Sequence, residues 1–497
     1  MKRIGYYTLV ALFVVVGLAL LALTNLGLLT FRAPYVESIP MQSAHPAIAF
    51  TNVNVVPMDR ERVLQNQTVL VRNGVIEKIG ERVAVPADAL IVDGTNKYLM
   101  PGLVDMHVHI QDKNDLILLA ANGVTTVRNM WGNTDVMLRL GMPDQLQLRE
   151  QIKQGKLFGP TIYTTGPVME GDPSNHPLMS VFRTPQEAEQ SVAWQKAQGY
   201  DFVKVYDHLN LETYRAIVRA AKQNGMPVVG HVPKAGGIDE VLSSGQVTIE
   251  HLQGYIDADA AEFLIAPERI AEYANKTRAA GVWNALTLAL YPKNSLPAEE
   301  VAKLEKQVAM KYTSPSAQLT TRILYDQMSQ GHTYTGADYA TRIAALNKRM
   351  MKALREADAR FILGTDASNP YHILGFSAHE ELAAMVEAGL TPYEALVAGT
   401  RNAAEALGKS SEFGTVTEGK RADLILVEAN PLEDVANANK RIGVVLRGQW
   451  LPEQKLQAML NGLVDSYTPT LIDRGWSLVL IVGVGLVVRR QRRARQG

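Results

Sequence analysis

Short apolar segments alternate with amphipathic segments through the central part of the chain. Eight of the apolar segments are predicted to be strands, at residues 102–110, 124–130, 161–166, 201–206, 227–232, 248–252, 282–287 and 360–367. Helices are predicted between them, for example over residues 184–199 and 211–225, each of which ends at a glycine, the usual stop residue of a helix. Eight successive βα units predict an α/β fold with a (β/α)8 TIM barrel over residues 98–408, whose chemistry sits at the C-terminal ends of the strands.

Two other features depart from this repeat. The connection between the seventh and eighth predicted strands, residues 288–359, is about twice the usual length and is predicted to carry extra helices as a lid or a substrate wall. Residues 47–97 and 409–452 instead show short β-like runs on either side of the barrel. Because the two segments bracket the barrel, they are predicted to assemble into one small discontinuous β-sandwich domain.

Both ends of the chain carry an apolar run. Residues 4–29 contain no charged residue, and a helix of that length would cross about 30 Å of hydrocarbon. We therefore predict an N-terminal transmembrane anchor, with a cleaved signal peptide as the alternative. The C-terminal run, residues 476–488, is short for a span and precedes a basic tail at residues 489–495. It is predicted to be a tilted span, an interfacial segment or a processed sorting tail.

Basic residues flank the outer end of both apolar runs. Positive flanks usually stay on the cytoplasmic side of a membrane. This pattern predicts a protein of the inner membrane that contacts lipid through its terminal segments, with the catalytic domain on the periplasmic side.

The amino-acid composition limits the kinds of functional site and partner that the chain can have. The chain of 497 residues has no cysteine, which excludes disulfides, thiolate ligands and a cysteine nucleophile. Any metal site must therefore use histidine and oxygen ligands. Lysine plus arginine and aspartate plus glutamate number 50 each, so no net field favours nucleic acid, and no nucleic-acid partner is predicted. Homo-oligomerisation is left open.

Ionisable residues recur at the predicted C-terminal ends of the strands. They are His107 and His109 on the first strand, Lys204 on the fourth, His231 on the fifth, His251 on the sixth and Asp366 on the eighth. The first two share a face, because side chains two apart on a strand point the same way. Taken singly, a histidine at such a position is more often a core residue, an aspartate is more often a helix cap, and a lysine more often reaches solvent. Their alignment on one rim predicts a metal site.

The motifs PGLVDMHVHI, GHV at 230–232, IEHL at 249–252 and LGTDA at 363–367 resemble the amidohydrolase superfamily, as does the later segment LTPYEALVAGTRNAAEALG. The resemblance covers roughly residues 47–452 and is strongest to the imidazolonepropionase- and prolidase-like branch. It implies a metal-dependent hydrolase that cleaves an amide or peptide-like C–N bond. It also implies two divalent metal ions, zinc in particular, and a Lys204 that is carboxylated by CO2 and bridges them.

The same resemblance implies the role of each ligand. His107, His109 and Asp366 would hold one ion, and His231 and His251 the other. A bridging hydroxide would attack the carbonyl, and Asp366 would accept its proton and pass it to the leaving amine. An apolar setting near two cations favours the neutral amine of a lysine, which is the form that adds CO2.

Three further residues are candidates for substrate contacts. His176 lies in the loop after the third strand, where relatives place a histidine that polarises the scissile carbonyl; an exposed loop histidine is the alternative. Tyr255 is a candidate oxyanion donor or a packing residue, and Arg128 is a candidate partner of a substrate carboxylate or a structural ion pair. Pro233 stands where dipeptide-cleaving relatives often carry a tyrosine.

The substrate is expected to be a small peptide, an N-acyl amino acid or a cyclic amide. One alternative is a lactonase or phosphoesterase that uses the same metal centre, because fold and ligands alone do not select the bond. The other is a non-catalytic binding or scaffold relative. Such a relative would be expected to lose ligands, whereas all six candidates are present in this chain.

Overall fold

The computed structural model describes residues 46–139, 142–255, 267–290, 293, 296, 298–331 and 337–467. The predicted anchor at 4–29, the apolar run at 476–488 and the basic tail at 489–495 lie outside the described residues. A spanning helix needs about 20 predominantly apolar residues, and none of the helices in the described ranges meets that requirement. This finding contradicts the predicted inner-membrane location with a periplasmic catalytic domain, and that prediction is wrong.

Strands and helices alternate along the described chain. The strands are β1 Ala47–Val55, β2 Leu64–Arg72, β3 Val75–Gly80, β4 Leu90–Asp93, β5 Tyr98–Pro101, β6 Leu103–Val108, β7 Val124–Asn129, β8 Thr161–Thr164, β9 Met169–Glu170, β10 Ser180–Val181, β11 Val203–Val205, β12 Val228–Gly230, β13 Thr248–Glu250, β14 Trp283–Ala285, β15 Arg360–Ile362, β16 Leu424–Val427, β17 Arg441–Leu446 and β18 Gln449–Pro452. The α-helices are Asp115–Ala121, Asp135–Arg139, Gln145–Lys153, Pro185–Gln198, Leu211–Gln223, Gly237–Ser244, Pro267–Ala280, Ala298–Leu304, Pro315–Gly331, Ala337–Glu356, Phe376–Glu387, Pro392–Ala398, Arg401–Ala406 and Glu453–Tyr467. Short 3-10 helices cover Val308–Tyr312 and Val435–Asn439.

One eight-stranded sheet unites the two segments that flank the barrel region. Its order is β18–β17–β16–β5–β1–β2–β3, and β4 pairs with β1. The two halves meet where β5 and β16 run antiparallel, with Leu424 opposite Pro101. Buried apolar side chains from both halves, among them Phe50 and Val445, form one core cluster. The sequence predicted a sandwich, whereas the hydrogen bonds join these strands into a single sheet.

The eight strands predicted for the barrel are all present, as β6, β7, β8, β11, β12, β13, β14 and β15. They fall into three parallel sheets, β6–β7–β8, β10–β9–β11–β12 and β13–β14–β15. Isolated main-chain hydrogen bonds join neighbouring sheets, such as Val247 N to Val228 O at 2.7 Å and Met106 N to Leu363 O at 2.8 Å. The fold is therefore TIM-barrel-like. The described strands do not form the continuous closed sheet that was predicted, because single hydrogen bonds, and not continuous strand pairing, join one sheet to the next.

Both helices named from the sequence form. The helix Pro185–Gln198 begins with a capping box between Thr184 and Glu187 and ends at Gly199, whose φ of 90° suits glycine. The helix Leu211–Gln223 starts at Asn210, which accepts a hydrogen bond from the Thr213 amide. The long connection before β15 carries helices as expected. Its role as a lid, and the division into a β domain and a barrel domain, stay predictions.

Candidate metal centre

His107, His109 and Asp366 meet at the C-terminal ends of β6 and β15. The Nε2 atoms of His107 and His109 lie 3.2 and 2.8 Å from the same oxygen, Oδ1 of Asp366. The three potential ligand atoms all lie within 4.8 Å of one another. Asp366 has a φ of 58°, in the left-handed region that costs a non-glycine residue about 1 kcal/mol. Its amide donates to the His107 carbonyl at 2.8 Å, which ties β15 to β6 at this point.

Lys204 lies in the middle of β11 and is only 2% exposed. Its Nζ is 3.3 Å from Nε2 of His107, to which it donates. Burial lowers the pKa of Lys204 to about 8, while the carboxylates of Asp366 and Glu250 act in the opposite direction. Lys204 therefore points from an apolar strand toward the histidine and aspartate cluster and not toward solvent.

His231 and His251 complete the group from β12 and β13. The ring centroids of the two histidines are 5.0 Å apart, and His231 also stacks on Tyr206 at 3.9 Å. Nε2 of His251 lies 3.8 Å from Oδ2 of Asp366. Burial lowers the pKa of His251 to about 3, so the ring is neutral at ordinary pH, as a metal ligand must be. The structure therefore brings together the six residues singled out from the sequence, at one end of the TIM-barrel-like arrangement of strands.

Three of the four histidines have their Nδ1 atom tied to a polar partner. His107 donates to Oε2 of Glu250 at 2.9 Å, and His231 donates to Oδ1 of Asp207 at 2.7 Å. Nδ1 of His251 lies 3.0 Å from the hydroxyl of Thr287. Such partners set the tautomer and orientation of metal-binding histidines and leave Nε2 for the ion.

Sequence reasoning missed these partners. They are Glu250, Asp207 and Thr287. Two of them could have been noticed in the sequence, because Glu250 directly precedes His251 and Asp207 closely follows Lys204. An acidic residue beside a candidate ligand at a strand end is thus a usable indicator of an orienting partner.

The geometry around His107 indicates a cation. Because Nδ1 of His107 donates to Glu250, its Nε2 carries no proton in the neutral ring and acts as an acceptor, here toward Lys204. Burial, followed by the charge of Lys204, holds the pKa of His107 well below its usual range. This acceptor nevertheless lies 3.2 Å from another acceptor, Oδ1 of Asp366. Two such atoms facing each other, with the buried and unpartnered Nδ1 of His109 nearby, fit a site built for a metal ion.

Arg128 does not face a substrate. Its guanidinium is 1% exposed and donates from Nη2 to Oε1 of Glu250 at 2.7 Å and from Nε to the Met106 carbonyl at 2.6 Å. Because these buried partners occupy its donors, the pairing with a substrate carboxylate is corrected in favour of the alternative, a structural ion pair. Arg128 instead holds Glu250 against His107.

For Tyr255, which the sequence offers as an oxyanion donor or a packing residue, the surroundings favour packing. Its hydroxyl lies 2.7 Å from Oδ1 of Asn284 and 3.0 Å from the hydroxyl of Thr277, a residue of the outer helix Pro267–Ala280. The side chain is 1% exposed. This arrangement gives the oxyanion contact no support and favours the alternative, packing between strand and helix.

His176 lies near the centre, on the far side of Trp131. The Trp131 ring contacts His109 at 5.8 Å and His176 at 5.0 Å between centroids. The Leu178 amide donates to Nδ1 of His176 at 3.2 Å, so the proton of the neutral ring is on Nε2. Burial, followed by the charge of His109, lowers the pKa of His176. The ring is therefore a neutral hydrogen-bond donor, which is the form that a carbonyl-polarising histidine needs.

A TIM-barrel-like fold with a buried histidine, aspartate and lysine cluster at the strand ends defines a metal-dependent hydrolase. Residues 98–451 match the amidohydrolase family, and the chain belongs to this family. It is a hydrolase that acts on carbon–nitrogen bonds.

Individual relatives agree with this assignment. The chain is 24% identical over 407 residues to ochratoxinase of Aspergillus niger, a match that spans 77% of this chain and 81% of that enzyme. Among solved structures it is similar to bottromycin amidohydrolase, with 25% identity and a TM-score of 0.70 over 89% of this chain and 96% of that one. A Xaa-Pro dipeptidase with bound methionine shares the fold, at 21% identity and a TM-score of 0.60 over 82% of this chain and 100% of that one.

Proposed function

We propose that the chain is a binuclear amidohydrolase that cleaves an amide bond of a small molecule or short peptide. The observation that carries the proposal is the pair of facing acceptors, Nε2 of His107 and Oδ1 of Asp366, 3.2 Å apart in a buried site. Hydrolysis of amides is also what the names of two relatives describe, bottromycin amidohydrolase and Xaa-Pro dipeptidase.

The residues present fit two divalent ions. In this proposal His107, His109 and Asp366 would hold one ion, His231 and His251 would hold the other, and Lys204 would serve as a shared ligand. Imidazole nitrogens and carboxylate oxygens without any thiolate suit zinc and similar borderline cations. When bound, the two ions would activate a water molecule at neutral pH and polarise the scissile carbonyl.

Lys204 would serve as its CO2 adduct. The neutral Nζ forms a bond to the carbon of CO2 and releases one proton, which yields a carbamate with two ligand oxygens. Its 2% exposure supports this role, because burial disfavours the ammonium form. The bare amine cannot offer two metal ions an anionic bridge, whereas the carbamate can.

In this proposal Asp366 would transfer the proton and His176 would polarise the scissile carbonyl. Burial alone would raise the pKa of Asp366, but His251 and His109 hold it below its ordinary value. Asp366 is thus an ionised base that would accept the proton of the attacking water and deliver it to the leaving nitrogen. His176, with its proton on Nε2, would donate to the carbonyl oxygen as negative charge develops there.

A substrate panel tests the proposal. The full chain, loaded with zinc, is assayed against dipeptides and N-acyl amino acids, with lactones and phosphotriesters as separate arms. We expect hydrolysis of at least one amide, close to two zinc ions per chain, and loss of hydrolysis in Asp366→Asn. A preference for lactones or phosphotriesters, or an Asp366→Asn variant as fast as the parent, would refute the amidohydrolase mechanism.

A further inference from the structure

A cavity of about 300 Å³ lies between loops that follow metal-centre residues, and the hydroxyl of Ser368 in its lining donates to the His109 carbonyl at 3.2 Å. Its walls come from the loop after β6, the loop after β15, the helix Pro315–Gly331 and Tyr467 at the end of the last described helix. The first two loops begin next to metal-centre residues: Gln111 lies two residues after His109, and Ser368 lies two residues after Asp366. A volume of this size is at the small end of ligand pockets and suits one amino-acid-sized group.

Two carboxylates line this cavity without a basic partner in it. Asp112 is exposed and Asp115 is partly buried, and among the described lining residues there is no lysine or arginine. Burial, followed by the charge of Asp112, raises the pKa of Asp115 to about 7. The pair thus creates a negative potential that the lining itself does not neutralise.

Two buried polar side chains belong to the same wall. His372 is 1% exposed, and its ring lies against the Leu290 backbone, with which it interacts. Burial, followed by the charge of Lys293, lowers the pKa of His372 to about 3, so the ring is neutral and has one donor and one acceptor. Oδ1 of Asn114, which is 4% exposed, has no hydrogen-bond partner among the described residues. An unmade hydrogen bond of a buried group is destabilising, so this acceptor in a cavity wall points to a ligand.

The rest of the lining is largely apolar. Leu118, Leu324 and Ile373 contribute side chains next to the polar groups. An occupant that matches both parts has a cationic head for the carboxylates and a hydrocarbon body for these side chains. A free phosphate or carboxylate would instead meet the two acidic groups and be repelled.

We propose that this cavity is a substrate subsite for a protonated amino group carried on an apolar body. The inference rests on the proposed function, because the amide would lie at the metal centre while the ammonium group occupies the cavity. Asp112 and Asp115 bind the charge, and Oδ1 of Asn114 accepts a hydrogen bond from the ammonium group. The substrate class is therefore an amide with a free amine, such as a peptide with an unblocked N-terminus.

A binding experiment tests the subsite without any turnover. Calorimetric titration of the full chain uses 3-methylbutylamine as the cation and 3-methylbutanol as its uncharged counterpart. We expect the amine to bind about tenfold more tightly than the alcohol, and Asp112→Asn to remove this difference. Asp88→Asn, an equal charge change at an exposed position between β3 and β4, should leave it intact. Equal affinities for the two probes, or an unchanged preference in Asp112→Asn, would overturn the subsite.

A kinetic experiment separates this inference from the proposed function. Leucyl-leucine and N-acetyl-leucyl-leucine are compared as substrates of the parent protein and of Asp112→Asn. We expect kcat/KM of the free dipeptide to fall about tenfold in the variant while that of the acetylated one stays constant. Equal effects on both substrates would refute the subsite alone. Failure to hydrolyse any amide would refute the proposed function, and the binding experiment would then decide on the subsite independently.

Discussion

Nζ of Lys204 lies 3.3 Å from Nε2 of His107, although the two residues are 97 positions apart in the chain. The contact joins β11 to β6 in the interior of the TIM-barrel-like region. Both side chains are at most 2% exposed. A lysine in a strand of valines is thereby explained. It is directed at the one cluster of the described chain in which His107, His109 and Asp366 offer ligand atoms within 4.8 Å of one another.

Replacement of Lys204 by alanine should abolish the bridge between the two proposed ions. We expect at least about a 100-fold loss of activity and a fall in zinc content from two ions per chain. Short carboxylic acids in the buffer should restore part of the rate, because a carboxylate can take the place of the carbamate. The measurements are metal analysis and initial rates with and without acetate.

Lys222→Ala serves as the matched control for this variant. Lys222 is an exposed lysine in the last turn of the helix Leu211–Gln223, so its loss should change neither metal content nor rate. If Lys204→Ala kept the zinc content and rate of the parent, the carbamate assignment would be wrong.

Glu250→Gln should weaken metal binding without removing a ligand. The carboxylate accepts from Nδ1 of His107 and from Arg128, and loss of such an orienting group typically costs tenfold to 100-fold in metal affinity. Competition with a chelator measures the effect. Glu240→Gln, which alters a surface pair with Arg215, is the control that should behave like the parent. Identical resistance of both variants to the chelator would contradict the orienting role.

Tyr255→Phe distinguishes packing from catalysis. Removal of the hydroxyl breaks its hydrogen bonds with Asn284 and Thr277, and the free energy of unfolding should fall by about 1 kcal/mol. The value of kcat/KM should not change. Tyr214→Phe, which alters another buried tyrosine bonded to Ser244 and Gln246, should show a similar loss of stability. A tenfold drop in kcat for Tyr255→Phe at unchanged stability would restore its oxyanion role.

Glu381 should make stability depend on pH. The side chain is 1% exposed and accepts hydrogen bonds from the Leu288 and Ala289 amides, and burial raises its pKa from 4.5 to about 7. Between these two values the folded chain binds more protons than the unfolded chain. The free energy of unfolding should therefore decrease as the pH rises from about 4.5 to 7, by at most about 3 kcal/mol from this group.

Denaturant unfolding at several pH values measures this dependence. Glu381→Gln cannot titrate, so its stability should change less over that range than the stability of the parent, whatever its overall stability. Glu212→Gln, at an exposed helical position, should keep the slope of the parent. A Glu381→Gln variant with the parent's slope would show that Glu381 is ionised in the folded protein throughout this range.

The residues of the candidate metal centre could be identified from the sequence because each stands beside a recognisable local pattern. His107, Lys204, His231, His251 and Asp366 each follow or end a short apolar run, and parallel strands in such a fold present their C-terminal ends on the same side. Knowledge of which strands neighbour each other was not needed to group them. The membrane prediction had a different basis. It relied on runs outside the described residues, and no helix of the described part supports it.

Side-chain partners were decided by the tertiary structure alone. Arg128 pairs with Glu250, 122 positions away, and Tyr255 bonds to Asn284, 29 positions away. Nothing in the local sequence distinguishes a buried partner at that separation from a substrate group, so the sequence left a structural role and a substrate role open for both residues. Only the packing of strand on strand and helix on strand shows that their polar atoms are already satisfied.

The sequence by itself determined the strands, their order along the chain and the side chains at their ends, because these follow from local hydrophobic periodicity and from motifs. The tertiary structure decided that the barrel-like layer divides into three sheets and that the flanking segments form one sheet. It also decided which ring nitrogen of each histidine is free. Those features depend on hydrogen bonds between residues far apart in the chain, and such bonds are selected by the packing of the whole molecule and not by any single segment.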